Sequence, residues 1–110
     1  MTFFRTLLAA AALVAGSAAS ASSETALQLT IKDHRFEPAS INARAGEPIA
    51  ITVKNLDATP EEFESKALKV EKVVAGNGEI TVRLRPLKPG RYAFAGEYHE
   101  DTAKGELIVE

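Results

Sequence analysis

The sequence predicts an all-β sandwich, and three observations carry that expectation. Apolar residues recur at every second position in several short runs. Turn-forming residues separate those runs at close intervals. Period two places alternate side chains on opposite faces of an extended strand, so each run has one face to bury. Several such strands divided by turns must pack sheet against sheet.

The first 21 residues are expected to lie outside that fold. Arg5 supplies a positive n-region, Leu7 to Ala15 an apolar h-region, and Ala19-Ser20-Ala21 a small-residue cleavage signal. Together they read as a secretory signal peptide. The apolar run is short of the roughly 18–20 residues a membrane-spanning helix needs. No Cys follows it, so a lipid anchor is excluded. The expected division is therefore a signal peptide over 1–21 and one exported domain over 22–110, in a chain of 110 residues.

A domain of that size holds one modest core with little margin. Small exported domains often add disulfides, but this chain has no Cys. Packing or a bound ion must supply the stability instead. A net charge of −2 gives no reason to expect nucleic acid or an anionic membrane as partner.

In chain order, Leu27, Leu29 and Ile31 alternate with Gln28, Thr30 and Lys32. Asp33-His34-Arg35 follows, then a turn toward Pro38. After Ala45-Gly46-Glu47-Pro48, Ile49, Ile51 and Val53 alternate with Ala50, Thr52 and Lys54. Asn55-Leu56-Asp57 is the next turn. Pro60-Glu61-Glu62-Phe63-Glu64 reads as a strand, with Glu61 and Phe63 on one face and Glu62 and Glu64 on the other. A loop near Ser65–Leu68 and a strand from about Lys69 to Val74 come next, although this stretch also has fair helical composition. Gly76-Asn77-Gly78 turns into Ile80, Val82 and Leu84, and Pro89-Gly90 into Tyr92 and Phe94. Leu107 and Val109 close the pattern.

Three places can carry chemistry. His99 lies in a polar loop between two apolar strands, beside Glu97, Glu100 and Asp101. Imidazole and carboxylate donors together suit iron, copper(II) or zinc. Phe63 is expected in the core, which turns Glu61 inward at one end of the sandwich. An inward carboxylate needs a partner, because a buried unpaired charge is costly. Otherwise the segment is a solvated acidic edge that discourages strand pairing. The third place is His34 with its neighbours Asp33 and Arg35. Catalytic signatures are lacking: there is no Cys nucleophile, no elbow around Ser65, and no glycine-rich phosphate loop.

Phe36-Glu37-Pro38, Ala45-Gly46-Glu47-Pro48, Val53-Lys54-Asn55, Pro60-Glu61, Pro89-Gly90-Arg91-Tyr92-Ala93-Phe94, His99 and Gly105 stand in the order found in cupredoxins such as plastocyanin. The chain resembles that family from about Leu27 to Val109. It is more similar still to the EfeO-type cupredoxin-like domains that accompany bacterial iron permeases. Asp33-His34-Arg35-Phe36-Glu37-Pro38, Pro60-Glu61-Glu62-Phe63-Glu64-Ser65 and Gly96 to Gly105 carry this closer likeness. The resemblance implies a Greek-key, cupredoxin-like sandwich. In plastocyanin-like proteins the residue after the Pro of the Asn55–Pro60 segment is a copper-binding His; here it is Glu61. Gly96 matches the copper Cys, His99 the second His ligand, and Ala103 or Lys104 the axial Met, with the loop one residue shorter. Only His99 of the four blue-copper ligands is kept.

The resemblance implies a periplasmic metal-binding accessory of iron uptake, with iron or copper as the ion. Its partners would be an iron permease complex or a periplasmic iron-binding protein. His99 and Glu61 are the expected ligands, with Glu62, Glu97 and His34 as further candidates. No enzymatic activity is expected. The alternative is a metal-free module whose acidic end docks onto a periplasmic or permease partner.

Overall fold

The computed structural model describes residues 23–110. The expected signal peptide therefore lies outside the described residues. Nine strands follow in order: β1 Thr25–Lys32, β2 Arg35–Glu37, β3 Ser40–Ala43, β4 Ile49–Asn55, β5 Glu61–Ser65, β6 Val70–Val74, β7 Glu79–Leu84, β8 Gly90–Gly96 and β9 Lys104–Val109. The one helical element among the described residues is a single 3₁₀ turn, Glu97–His99. No helix there is long and apolar enough to cross a membrane.

The strands form two sheets, β2-β1-β4-β7 and β3-β9-β8-β5-β6. β1 runs parallel to β4 and β3 parallel to β9; the remaining pairs are antiparallel. The all-β sandwich is the fold class expected from the alternation. Leu29, Ile31, Ile49, Ile51, Val53 and Val82 point inward from the first sheet. Ile41, Phe63, Val74, Phe94, Leu107 and Val109 meet them from the second. Phe36 stands edge-on to Phe94, with ring centroids 5.0 Å apart, and Phe63 lies 5.2 Å from Phe94. Each such ring contributes about 1.5–3 kcal/mol by leaving water.

Two strands escape the sequence pattern. β2 and β3 are three and four residues long. Each offers at most two inward residues, too few for alternation to be seen. The 64–74 stretch resolves as two strands, but Ser65 belongs to β5 rather than to the loop. Its hydroxyl donates to the Ala93 carbonyl at 2.6 Å and accepts the Leu68 N–H at 3.0 Å. β6 starts at Val70, after Lys69 has taken φ of 55° to finish the turn.

Four connections gather at one pole of the sandwich: the β1–β2 turn, the β4–β5 loop, the β6–β7 turn and the β8–β9 loop. Hydrogen bonds lock them together. Buried Asn55 donates to the Thr59 carbonyl at 2.9 Å and accepts the Asp57 N–H at 3.0 Å. Asn77 N–H donates to the Asp57 carbonyl at 2.8 Å. Gly76 passes so close that a Cβ there would lie 1.9 Å from the Ala58 carbonyl oxygen. The loop that leads into Glu61 is thus fixed from several sides.

Candidate metal centre

Glu61 is 1% exposed at the start of β5. It points inward because Phe63, two residues on, belongs to the core face. Its carboxylate has a partner on each oxygen. Oε1 accepts the Tyr98 N–H at 2.9 Å and the Glu62 N–H at 3.1 Å. Oε2 lies 2.5 Å from His99 Nδ1. The partner required for an inward charge is therefore His99, delivered from the β8–β9 loop.

His99 is held by its own backbone. Its carbonyl accepts N–H groups from Thr102 at 3.2 Å and Ala103 at 2.8 Å. That tight turn aims the imidazole back at Glu61. His34 covers the exposed side. Its ring stacks on His99 with centroids 3.5 Å apart and planes 10° from parallel.

His34 is placed by backbone geometry rather than by packing. Asp33 and His34 both take left-handed backbone, with φ of 51° and 57°. Such turns match the twist of a tight hairpin, and Asp tolerates them well. Asp57 fixes the turn by accepting the Asp33 N–H at 2.9 Å and the His34 N–H at 3.0 Å. The Thr102 hydroxyl donates to the His34 carbonyl at 2.5 Å. The His34 N–H holds the Asp57 carboxyl below its ordinary value; partial burial opposes this, and the Asp33 N–H adds to it.

Gly96 explains how the carboxylate fits. A Cβ at Gly96 would lie 2.7 Å from Glu61 Cδ and 2.7 Å from Ala103 Cβ. Glu61 therefore fills the space into which a side chain at position 96 would project. The negative group of the pocket comes from β5 instead of β8. Ala103, fully buried, puts a methyl group against the same space.

This donor set does not fit a blue-copper centre, which requires a thiolate and two imidazoles. The chain has no Cys, and its single Met is Met1. It does fit a borderline cation that accepts nitrogen and carboxylate oxygen together. Glu61 and His99 would hold such an ion, with His34 beside them. An open cavity of about 520 Å³ lies outside, lined by His34, Glu97, Tyr98, His99, Glu100, Asp101 and Thr102.

The five ligand candidates separate into two groups. Glu61 and His99 pair, and His34 stacks on His99 without forming with them a group of three donor atoms within 4.8 Å of one another. Glu62 and Glu97 instead meet Glu71, with carboxylate oxygens of all three within 4.8 Å of one another. Period two makes the split: Glu61 and Glu62 are neighbours in sequence and face opposite sides of β5. Glu71 escaped the sequence reading because the register of β5 on β6 brings it there, opposite Glu64 and diagonal to Glu62. Asp57 and Thr102 were also missed; both act by anchoring backbone, which leaves no local sequence signal.

Comparison with known proteins bears on the fold. Residues 5–109 match the family model described as a cupredoxin-like domain. An uncharacterised protein of Rickettsia prowazekii is 43% identical over 83 residues; the match takes in 76% of this chain, which spans 66% of that relative's length. Auracyanin A, a "blue" copper protein from Chloroflexus aurantiacus, superposes with a TM-score of 0.69 at 15% identity, over 80% of this chain and 100% of its own. The metal-binding domain of the Cu(I)-exporting P-type ATPase CopA from Streptococcus pneumoniae, solved with Cu(I), gives 0.65 at 17% identity, over 81% of this chain and 97% of its own. At such identities the structural likeness establishes the fold alone.

Proposed function

The chain belongs to the cupredoxin-like domain family, and from that premise we propose that it is an exported metal-binding accessory protein rather than an electron carrier or an enzyme. One observation carries the reading. A carboxylate stands in the space beside Gly96, and its Oε2 is in hydrogen-bond contact with the loop imidazole of His99. The pocket keeps a negative charge and a nitrogen donor but has exchanged sulfur for oxygen. A thiolate tunes a copper ion for one-electron transfer; a carboxylate favours holding a harder ion and passing it on.

The cargo of this reading is iron or copper(II). The finer assignment is to the EfeO-type group: a periplasmic component of iron uptake, with copper linkage as a variant. An iron permease complex or a periplasmic iron-binding protein would be its partner. The likeness of the segments around Asp33, Pro60 and His99 supports this.

Glu61 Oε2 and His99 Nδ1 are in hydrogen-bond contact, and a cation held between them would replace that contact. Calorimetric titration of the exported domain with Cu(II), Fe(II) and Fe(III) tests the reading. Binding should fall on the order of tenfold or more in His99→Ala and in Glu61→Gln. Equal binding by wild type and both variants removes the proposal.

A second reading has its own support. Glu61 and His99 satisfy each other without any ion. The ion pairs found among the described residues, Arg83–Glu24, Arg91–Glu106 and His99–Glu61, leave Glu64 and Glu100 outside. A docking module predicts that Glu64→Lys with Glu100→Lys abolishes iron uptake while His99→Ala does not. The metal reading predicts the reverse for His99→Ala.

A further inference from the structure

The outer face of β5 carries an arrangement that the inner centre does not use. Glu62 is 9% exposed, yet its Oε1 is the one buried side-chain polar atom among the described residues that has no hydrogen-bond partner. An unsatisfied buried oxygen is costly, and such atoms in a folded protein call for a specific cause. Glu71 crosses from β6, and Glu97 descends from the 3₁₀ turn. Oxygens of the three carboxylates lie within 4.8 Å of one another. No ion pair of the described residues involves any of them.

Three carboxylates so close repel one another unless something positive sits between them. The Glu71 carboxyl is held above its ordinary value, first because its protonated form can hydrogen-bond to Glu62, then because the Glu62 charge opposes its ionisation. Two ionised carboxylates offer only acceptors, so neither can satisfy the other. A cation can satisfy all three at once.

We propose that Glu62, Glu71 and Glu97 form a second cation site, separate from the Glu61–His99 pair and selective for a hard, oxygen-seeking ion. Oxygen ligands of such ions stand roughly 2.0–2.6 Å from the metal, which suits the observed spread of the carboxylates. Nitrogen and sulfur donors are lacking, so the site discriminates against softer ions. Glu62 is the anchored inner ligand. Exposed Glu71 and Glu97 close over the ion and leave its remaining positions to water.

Tyr98 supplies a reporter. Partial desolvation, then the adjacent Glu62 carboxylate, hold its phenol above the ordinary value. The test is titration of the exported domain at neutral pH with Tb(III), read as lanthanide emission excited through tyrosine. Saturable emission is expected, displaced by Ca(II) or Mn(II). Glu62→Gln and Glu71→Gln should each weaken it on the order of tenfold or more. Both changes preserve shape and remove repulsion, so circular dichroism should show intact folding. His99→Ala should leave the emission unchanged, which separates this site from the inner centre. Absence of sensitised emission, or emission equal in all variants, overturns the proposal. Loss in His99→Ala alone also overturns it, by assigning the ion to the inner pair.

Discussion

Glu61 and Glu62 are adjacent in the chain and live in opposite electrostatic worlds. The first is buried with a partner on each oxygen: two backbone N–H groups and an imidazole. The second is nearly as buried, but one of its oxygens has none. Donors surround the inner carboxylate because the β8–β9 loop turns its backbone and His99 toward β5. Two other acids approach the outer one, because β6 brings Glu71 and the 3₁₀ turn brings Glu97, with the Tyr98 phenol beside them. Burial alone therefore says little about what a carboxylate does. The difference lies in what surrounds it: two backbone N–H groups and an imidazole for Glu61, two further carboxylates and a phenol for Glu62.

The largest break in this contrast comes from Glu61→Ala. It strands the Tyr98 and Glu62 N–H groups and removes the partner of His99. We expect a loss of about 2–4 kcal/mol, read by urea denaturation. A loss no larger than that of an exposed Glu→Ala change would show that the pair is incidental.

Next comes Gly96→Cys, which restores sulfur at the matching position. It should not create a blue centre, because the new Cβ overlaps Glu61 and Ala103. It should cost about 1–3 kcal/mol through overpacking. An intense blue absorption with Cu(II) in this variant would mean that Glu61 moves aside easily.

The smallest effects sharpen the contrast through pH. Asp57 has a lowered folded value, so its stabilisation is present above the unfolded carboxylate value and is lost as pH falls through the folded one. Asp57→Asn should cost about 1 kcal/mol at neutral pH and flatten that acid limb. Glu71 behaves in the opposite sense. Its raised folded value gives stability that is full below the unfolded value and lost as pH rises through the folded one. In metal-free buffer, Glu62→Gln should therefore raise the melting temperature at neutral pH and converge with wild type in acid. Parallel pH profiles for Asp57→Asn and Glu62→Gln would erase the distinction between the two regions.

Much of this was legible in the residues. The alternation of Ile49, Ile51 and Val53 declared a half-buried strand, and all three are buried. Phe63 fixed the inward side of β5 and with it the direction of Glu61. The missing Cys excluded a thiolate centre outright. Other parts were not legible. β2 and β3 are shorter than the window in which period two can be recognised. The stacking of His34 on His99 joins residues 65 positions apart in sequence (34 and 99). It rests on a hairpin held by Asp57, and no local pattern announces that bond.

The sequence by itself determined the sandwich, the inward carboxylate and the absence of sulfur, because strand periodicity and composition are local properties. The tertiary structure decided which acids share a pocket. Strand register and loop closure alone bring Glu71 to Glu62 and His99 to Glu61. Those distances are set by packing between segments far apart in the chain.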